Sequence, residues 1–514
     1  MSGKWHGRLA LLVLLASLGS VEVALAAGDA PQLLQAKSAG TISSWRVRPA
    51  TGDFPDVVAD PLDARPERLD VAARLPGDAS ALDCATQATS PSHVLTLIDA
   101  VDLALCHNPQ VQASWAAIRI QAASLGQAKA AWLPTANATV SQLHNRTEYP
   151  ASPALDNANN GRTAYVGVTW RLFDFGARAA DQASAAALLD AALANQDATL
   201  QKTLGAVVQA YFDAVSARAT ARSRGEATRY AQQTSDAAKR RESKGAGAVN
   251  DTLQANAALA KARLAEQRAT GDYQKAISVL LYACGIAPQS DVEPAEEPDA
   301  VAAAAVADLG EWLRATTTRH PAILAAQAQV DAAEAKVRSI RTQGLPSIDF
   351  TGNYYRNGYP NQGLQPTRSA TTTVGVTLNI PLFAGFARTY QVRGAQAQVD
   401  QSRAQLLDTR LQLASTVVKD HAEAVAALAN LDASAQWQAA ATAAVESARR
   451  RYDKGAGDIL EMLTAESSLA DARQERLRCL AEWRSARLRL FADSGLLGRS
   501  EIPQPVRAGA QFGQ

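Results

Sequence analysis

Lys244-Gly245-Ala246-Gly247 and Lys454-Gly455-Ala456-Gly457 are one four-residue turn, met twice about 210 positions apart. Upstream of each turn, a proline-free stretch of about 60 residues runs from near Ala177 to Arg241 and from near Arg388 to Arg451. Downstream, a return helix of about 30 residues reaches Cys284 in one case and the region of Ala492 in the other. Ala, Gln, Leu, Arg and Glu dominate these stretches, and such side chains lose little rotamer freedom in a helix. At 1.5 Å per residue the longer stretch spans roughly 90–95 Å, far more than a globular core needs. The glycines sit where two antiparallel helices reverse, which calls for residues tolerant of positive φ.

Further out, the same doubling continues. His107-Asn108-Pro109 recurs as Arg319-His320-Pro321, and Ala131-Trp132-Leu133-Pro134 as Gln343-Gly344-Leu345-Pro346. Arg171-Leu172-Phe173-Asp174 recurs as Pro381-Leu382-Phe383-Ala384. Landmarks in one order and at one spacing mark a duplicated half-protein, with repeats at 93–290 and 311–497 joined by a linker at 291–310. Each half reads as a helix of about 35 residues ending at Leu-Pro, a strand, a polar loop, a strand ending in Leu-Phe, the long helix, the turn and the return helix. The two shorter helices end to end match the long one, so the packing expected is a rod beside a stacked pair.

The strands alternate strictly. Val374, Val376, Leu378, Ile380 and Leu382 interleave with Thr373, Gly375, Thr377 and Asn379, and Val166, Val168, Trp170 and Leu172 with Gly167, Thr169 and Arg171. Ile348, Phe350 and Tyr354 alternate with Asp349, Thr351 and Asn353, while Ala136, Ala138 and Val140 share one face of a weaker segment. About ten residues of such alternation fit a transmembrane β-strand with its apolar face to lipid; a half-buried strand of a soluble sheet is the other reading. Four strands cannot close a barrel, and lipid tolerates no open edge, so the chain is expected to assemble, three copies giving twelve strands. The fold class expected is mainly α with transmembrane β: a duplicated long-helix coiled-coil α-barrel on a trimeric twelve-stranded β-barrel.

At the N-terminus, Lys4 and Arg8 precede an apolar run from Leu9 to Leu18, and Ala24-Leu25-Ala26 forms a small-x-small site. Residues 1–26 read as a secretory signal peptide, the run being too short to span a bilayer. No cysteine follows the cleavage site to carry lipid. Residues 27–92 read as a flexible periplasmic extension and 498–514 as a tail, both rich in polar residues and proline. Of the 4 cysteines in 514 residues, Cys84 and Cys106 flank the start of the first helix and are expected to pair in an oxidising compartment. Cys284 and Cys479 sit about four turns out of register, roughly 22 Å, and read as packing residues.

A formal net charge of +1 gives no nucleic-acid footprint. The 6 histidines show no metal-ligand spacing, no Ser/His/Asp assembly can be drawn, and His421 reads as a packing or interhelical hydrogen-bonding group. The Gly-x-Gly turns follow helices and lack the rest of a phosphate-binding pattern. No enzyme, cofactor or metal site is expected.

Taken together, the duplication, the Asn108-Pro109 and His320-Pro321 starts, the Leu-Pro helix ends, the Leu-Phe strand ends and the Gly-x-Gly reversals resemble the TolC family of outer-membrane factors. The resemblance covers roughly Leu95 to Leu497, and Leu97-x-x-Ala100 with Ala104-Leu105-Cys106-His107-Asn108-Pro109 is most similar to its CyaE branch, which exports an adenylate cyclase toxin. It implies a homotrimer in the outer membrane with its helices in the periplasm. It also implies a periplasmic adaptor, an inner-membrane transporter, and an exported protein or small molecule that passes through unchanged. It places a periplasmic gate at Tyr452, with Asp251 accepting its hydrogen bond, and an acidic ring at Glu461 that makes the throat cation-selective. Gly457 stands where the family has a gate arginine and Thr464 where it has a second aspartate, so this gate is expected to be fastened by other contacts. From the residues themselves, Tyr452 can simply pack a helix end, Asp251 can complement a helix dipole, and Glu461 can be a solvated charge.

The function expected is the outer-membrane channel of a type I secretion system. A drug- or metal-efflux outlet is the alternative within the fold, and a periplasmic coiled-coil adaptor or structural rod is the alternative outside it.

Overall fold

In the computed structural model, residues 60–65, 84, 94–151, 153, 156–245, 247–295, 306–357, 369–454, 456–498 and 502 are described. The signal peptide, nearly all of the 27–92 extension, linker residues 296–305, Gly455 and the tail beyond Ile502 lie outside them.

The first repeat begins with β1 (Val94–Leu95), α1 (Leu97–His107) and α2 (Pro109–Ala130), followed by β2 (Thr135–Thr147), β3 (Asn157–Phe173), α3 (Ala177–Ser243) and α4 (Val249–Cys284). After β4 (Glu293–Pro294) the second repeat gives α5 (Leu309–Arg319), α6 (Pro321–Thr342), β5 (Ser347–Asn357), β6 (Ser369–Asn379), α7 (Ala387–Asp453) and α8 (Ile459–Asp493). The long helices α3 and α7 each hold 67 residues, about 100 Å of rod.

Two sequence expectations are corrected. The helix of about 35 residues that opens each half is two helices, broken at Asn108 and His320. Both residues take extended backbone, with ψ of 123° and 125°. The following proline disfavours α geometry in the residue before it and has no N–H to give. Each residue then caps the helix it precedes: Asn108 Oδ1 accepts from Gln110 N at 2.8 Å, and His320 Nδ1 from Ala322 N at 3.1 Å. The second correction is β6, which stops at Asn379, short of the Leu-Phe pair, because Pro381 cannot supply a ladder hydrogen bond. In the first repeat, Leu172-Phe173 does lie inside the strand, across a register shift after Arg171.

All four long strands form one antiparallel sheet in the order β2-β3-β5-β6, so β2 and β6 are its two edges. The helices pack on one another. α3 is flanked by α1, α2, α4, α6 and α8, whereas among the described residues α7 packs chiefly on α5, α6 and α8. Long alanine-rich faces let the rods approach closely; Ser184 Oγ on α3 reaches the Ala332 carbonyl on α6 at 3.0 Å. The main core lies where the small helices dock at mid-length. Leu204, Val207 and Tyr211 of α3 bury against Leu97 of α1, Leu280 of α4 and Leu488 of α8. A second cluster around Trp312, Val417 and Trp483 does the same in the other repeat.

Cys84 and Cys106 are joined by a disulfide with Cα atoms 5.4 Å apart. Cys284 and Cys479 are free and buried, and burial pushes the Cys284 thiol up to about 12, so both are inert packing groups. His421 bonds the Ala307 carbonyl at 3.0 Å, tying α7 to the segment that leads into α5.

Candidate functional site

Two places carry the chemistry of this fold: the faces of the sheet and the far tip of the helical hairpins. Strand register sorts the sheet into two faces. Val166 pairs with Tyr354, Trp170 with Phe350, Phe350 with Val376, and Ile348 with Leu378, all on one face. On this face Val374, Val376 and Leu378 are more than half exposed, a cost in water and a requirement in lipid. The opposite face is polar. Tyr165 Oη donates to Asn353 Oδ1 at 2.7 Å, and Arg171 pairs with Asp349 at 2.9 Å. Past the strand ends, Leu382, Phe383, Phe386 and Tyr390 extend the exposed apolar band toward the helices. Among the described residues no helix is long and apolar enough to cross a membrane, which says nothing of the sheet.

At the other end, α3 turns into α4 and α7 into α8. Gly245 adopts φ of 70°, as expected of a reversal glycine. Gly247 and Gly457 are needed for a different reason: space. A Cβ on Gly247 would lie 3.0 Å from Arg241 Cβ, and one on Gly457 3.0 Å from Arg451 Cβ and from the Tyr452 nitrogen. Gly455 lies outside the described residues.

The tip has a small apolar centre of its own. Tyr452 is buried with Ala238, Ala255, Ala448, Ile459 and Met462, drawn from all four helices. Asp458 caps α8 by accepting from Leu460 N at 3.3 Å. Ala248 cannot do the same for α4, so Asp251, in the first turn, is the acid that complements that helix dipole. Glu461 holds the matching place in α8 and pairs with Arg451 at 2.7 Å. Thr464 bonds back to Leu460 O within its own helix at 2.7 Å.

Tyr452 and Asp251 are brought to one tip, and among the described residues no hydrogen bond joins them within the chain. Tyr452 is engaged instead by Arg241, whose Cζ lies 4.3 Å over the ring and whose Nη2 donates to the Tyr452 carbonyl at 3.0 Å. Sequence reading missed Arg241 and Arg451. Aligning the two turns would have found them, since each arginine precedes its acid by 10 positions. Farther along, Arg224 pairs with Asp471 at 3.2 Å and Thr234 reaches Glu466 at 3.4 Å, so α3 and α8 are laced together by polar links. Burial raises the Glu466 carboxyl above its ordinary value.

A two-faced antiparallel sheet set on rods about 100 Å long defines a channel protein that carries a membrane-spanning sheet and a long helical conduit. The chain belongs to the outer membrane efflux protein family, whose model matches residues 100–285 and 312–496, one segment in each repeat. Protein CyaE of Bordetella pertussis is 38% identical over 410 residues, 79% of this chain and 85% of that one. The alkaline protease secretion protein AprF of Pseudomonas aeruginosa is 25% identical over 263 residues, 50% of this chain and 54% of that one. Among solved structures, the outer membrane protein VceC of Vibrio cholerae superposes with a TM-score of 0.66 at 21% identity, covering 78% of this chain and 96% of that one. The protein is therefore an outer-membrane channel with its helices in the periplasm, and the reading as a soluble rod or adaptor is set aside.

Proposed function

We propose that this channel is a homotrimer serving type I secretion, receiving a protein from an inner-membrane transporter and periplasmic adaptor and delivering it outside without chemical change. The observation that carries the trimer is the pair of open edges. Among the described residues β2 and β6 each pair on one side only, and three copies of the 4-stranded sheet would close twelve strands with no edge left in lipid. The helices agree with this. α7 is packed along part of its circumference, and Leu407, Leu411, Val418, Val425 and Trp437 stand exposed along it, a stripe suited to a neighbouring copy.

Similarity to CyaE and to a protease secretion protein favours a protein cargo. A drug- or metal-efflux outlet uses the same duct, and the family's own description keeps that reading alongside. In this reading the hairpin tip is the periplasmic gate, with Tyr452, Asp251 and Glu461 as its polar members and Glu461 as the acidic ring.

The test is purification from outer-membrane fractions followed by cross-linking and planar-bilayer recording. A cross-linked trimer that conducts ions is expected; a monomer, or an oligomer without conductance, rejects the duct. Deleting the gene separates the cargo classes, because loss of an exported protein at unchanged drug and metal tolerance selects secretion.

A further inference from the structure

The two hairpin tips are built on one backbone. Arg241 and Arg451 hold the same place before the turn, and Asp251 and Glu461 the same place in the first turn of the return helix. A Cβ placed on Gly247 or on Gly457 would lie 3.0 Å from the arginine Cβ in both hairpins. A reach open to one arginine is therefore open to the other.

Their partners nevertheless differ. Arg451 stays within its hairpin and pairs with Glu461 at 2.7 Å. Arg241 turns away from Asp251 and crosses to the other hairpin, lying 4.3 Å over the Tyr452 ring and bonding its carbonyl at 3.0 Å.

We propose that Arg241 is the gate's latch, exchanging between Tyr452 of the second hairpin in the fastened state and Asp251 of its own hairpin in the released state. The inference rests on the reading of this tip as the gate. The released geometry is the one the Arg451–Glu461 pair already displays. Exchange leaves the guanidinium with a partner in both states, which keeps them close in free energy and open to bias by a docking protein or by cargo. Asp251 is one methylene shorter than Glu461, so its carboxylate reaches less far toward the arginine, in keeping with the Arg241–Tyr452 contact seen here. The cap offers a second reason: without a side-chain cap at Ala248, the Asp251 charge is already engaged by the α4 dipole. Arg241 thus supplies the fastening expected from elsewhere when Gly457 takes the place of a gate arginine.

The experiment records full-length assembled oligomer in planar bilayers, after checking that each variant retains the detergent-resistant oligomer. Arg241→Ala loses the stacked cation and its hydrogen bond and should raise the open population about tenfold. Asp251→Asn removes the competing partner, so opening should become rarer. Asp251→Glu restores the length of Glu461 and should make opening more frequent. Opposite signs at one position are the signature of exchange, and they stand even if Arg241→Ala does not assemble. If Asp251→Asn opens the channel, Asp251 restrains Tyr452 directly; the latch is then overturned and the gate survives. If Arg241→Ala is silent while Asp251 variants act, the latch is likewise overturned. If no variant changes conductance, the constriction lies elsewhere and the gate reading falls with it.

Discussion

Arg178 and Arg388 occupy the same point of the two repeats, at the start of the long helix, yet only Arg178 is buried. Its guanidinium pairs with Asp174 at 2.8 Å, donates to Arg171 O at 2.7 Å and lies 4.3 Å over the Trp132 ring. Three changes accompany one another in the second repeat. Ala384 replaces Asp174 and Gly344 replaces Trp132, and the Arg388 guanidinium occupies the space where a side chain at 344 would lie, bonding Arg341 O. One repeat thus locks the joint between sheet and rod with a buried ion pair, and the other closes it with a glycine.

From this contrast, Arg178→Ala should cost about 3–5 kcal/mol, because it strands the Asp174 carboxylate in a dry site. Arg388→Ala should cost less than about 1 kcal/mol, as for a half-exposed cation with no carboxylate partner among the described residues. The temperature at which the detergent-resistant oligomer dissociates measures both. Equal losses in the two variants would mean that the joint does not depend on the ion pair.

Asn108 links the first kink to the end of its own repeat. Its amide nitrogen donates to Ala283 O at 2.9 Å while its oxygen caps α2. Asn108→Ala loses the cap and strands a buried carbonyl, at about 2–3 kcal/mol together. Asn108→Asp keeps the cap but sets a carboxylate against that carbonyl, so it should be no better than alanine. The same dissociation assay ranks the two.

Asp420 sets a pH dependence. Burial, then the neighbouring Asp493 carboxyl, pushes it up to about 7, with Arg489 opposing and Glu423 adding to the shift. The folded chain therefore holds a proton that the unfolded chain gives up near 3.8. This contribution is full below the unfolded value and is lost as pH rises through the folded one, so stability falls between about pH 4 and 7. His320 acts in the opposite direction. Burial lowers its pKa, its neutral Nδ1 caps α6, and its contribution is lost as pH falls below 6.5. Asp420→Asn should raise the dissociation temperature at neutral pH by a few degrees and flatten the acidic side of the profile. An unchanged slope would assign that side to other carboxylates.

Much of this was legible in the sequence because the signals are long. Two helices of 67 residues, a 210-residue repeat and period-two strands each extend over many positions, so single exceptions do not hide them. The kinks at Asn108 and His320 were visible as X-Pro pairs, yet periodicity carried straight through them. The early end of β6 was hidden because Ile380 and Leu382 keep the alternation going past the residue where Pro381 stops the ladder. The tip was legible only in part. Tyr452, Asp251 and Glu461 could be placed by resemblance, whereas the Arg241–Tyr452 stack joins residues 211 positions apart, and no local pattern encodes it.

Glu461 provides the last prediction, because its charge is shared with Arg451. In the trimer proposed above, three such carboxylates would ring the throat, each partly neutralised by Arg451 of its own chain, which lies 2.7 Å away. Both groups are about half exposed, so the pair adds little stability, and on the proposed gate its main effect would be on the field in the pore. Glu461→Gln should lower the cation-to-anion permeability ratio while leaving assembly intact. Arg451→Gln should raise it, since the same carboxylates then act unopposed. Reversal potentials in a potassium chloride gradient read both variants directly. Opposite shifts place the ring in the conduction path; two null shifts put Glu461 on a solvated outer face of the tip.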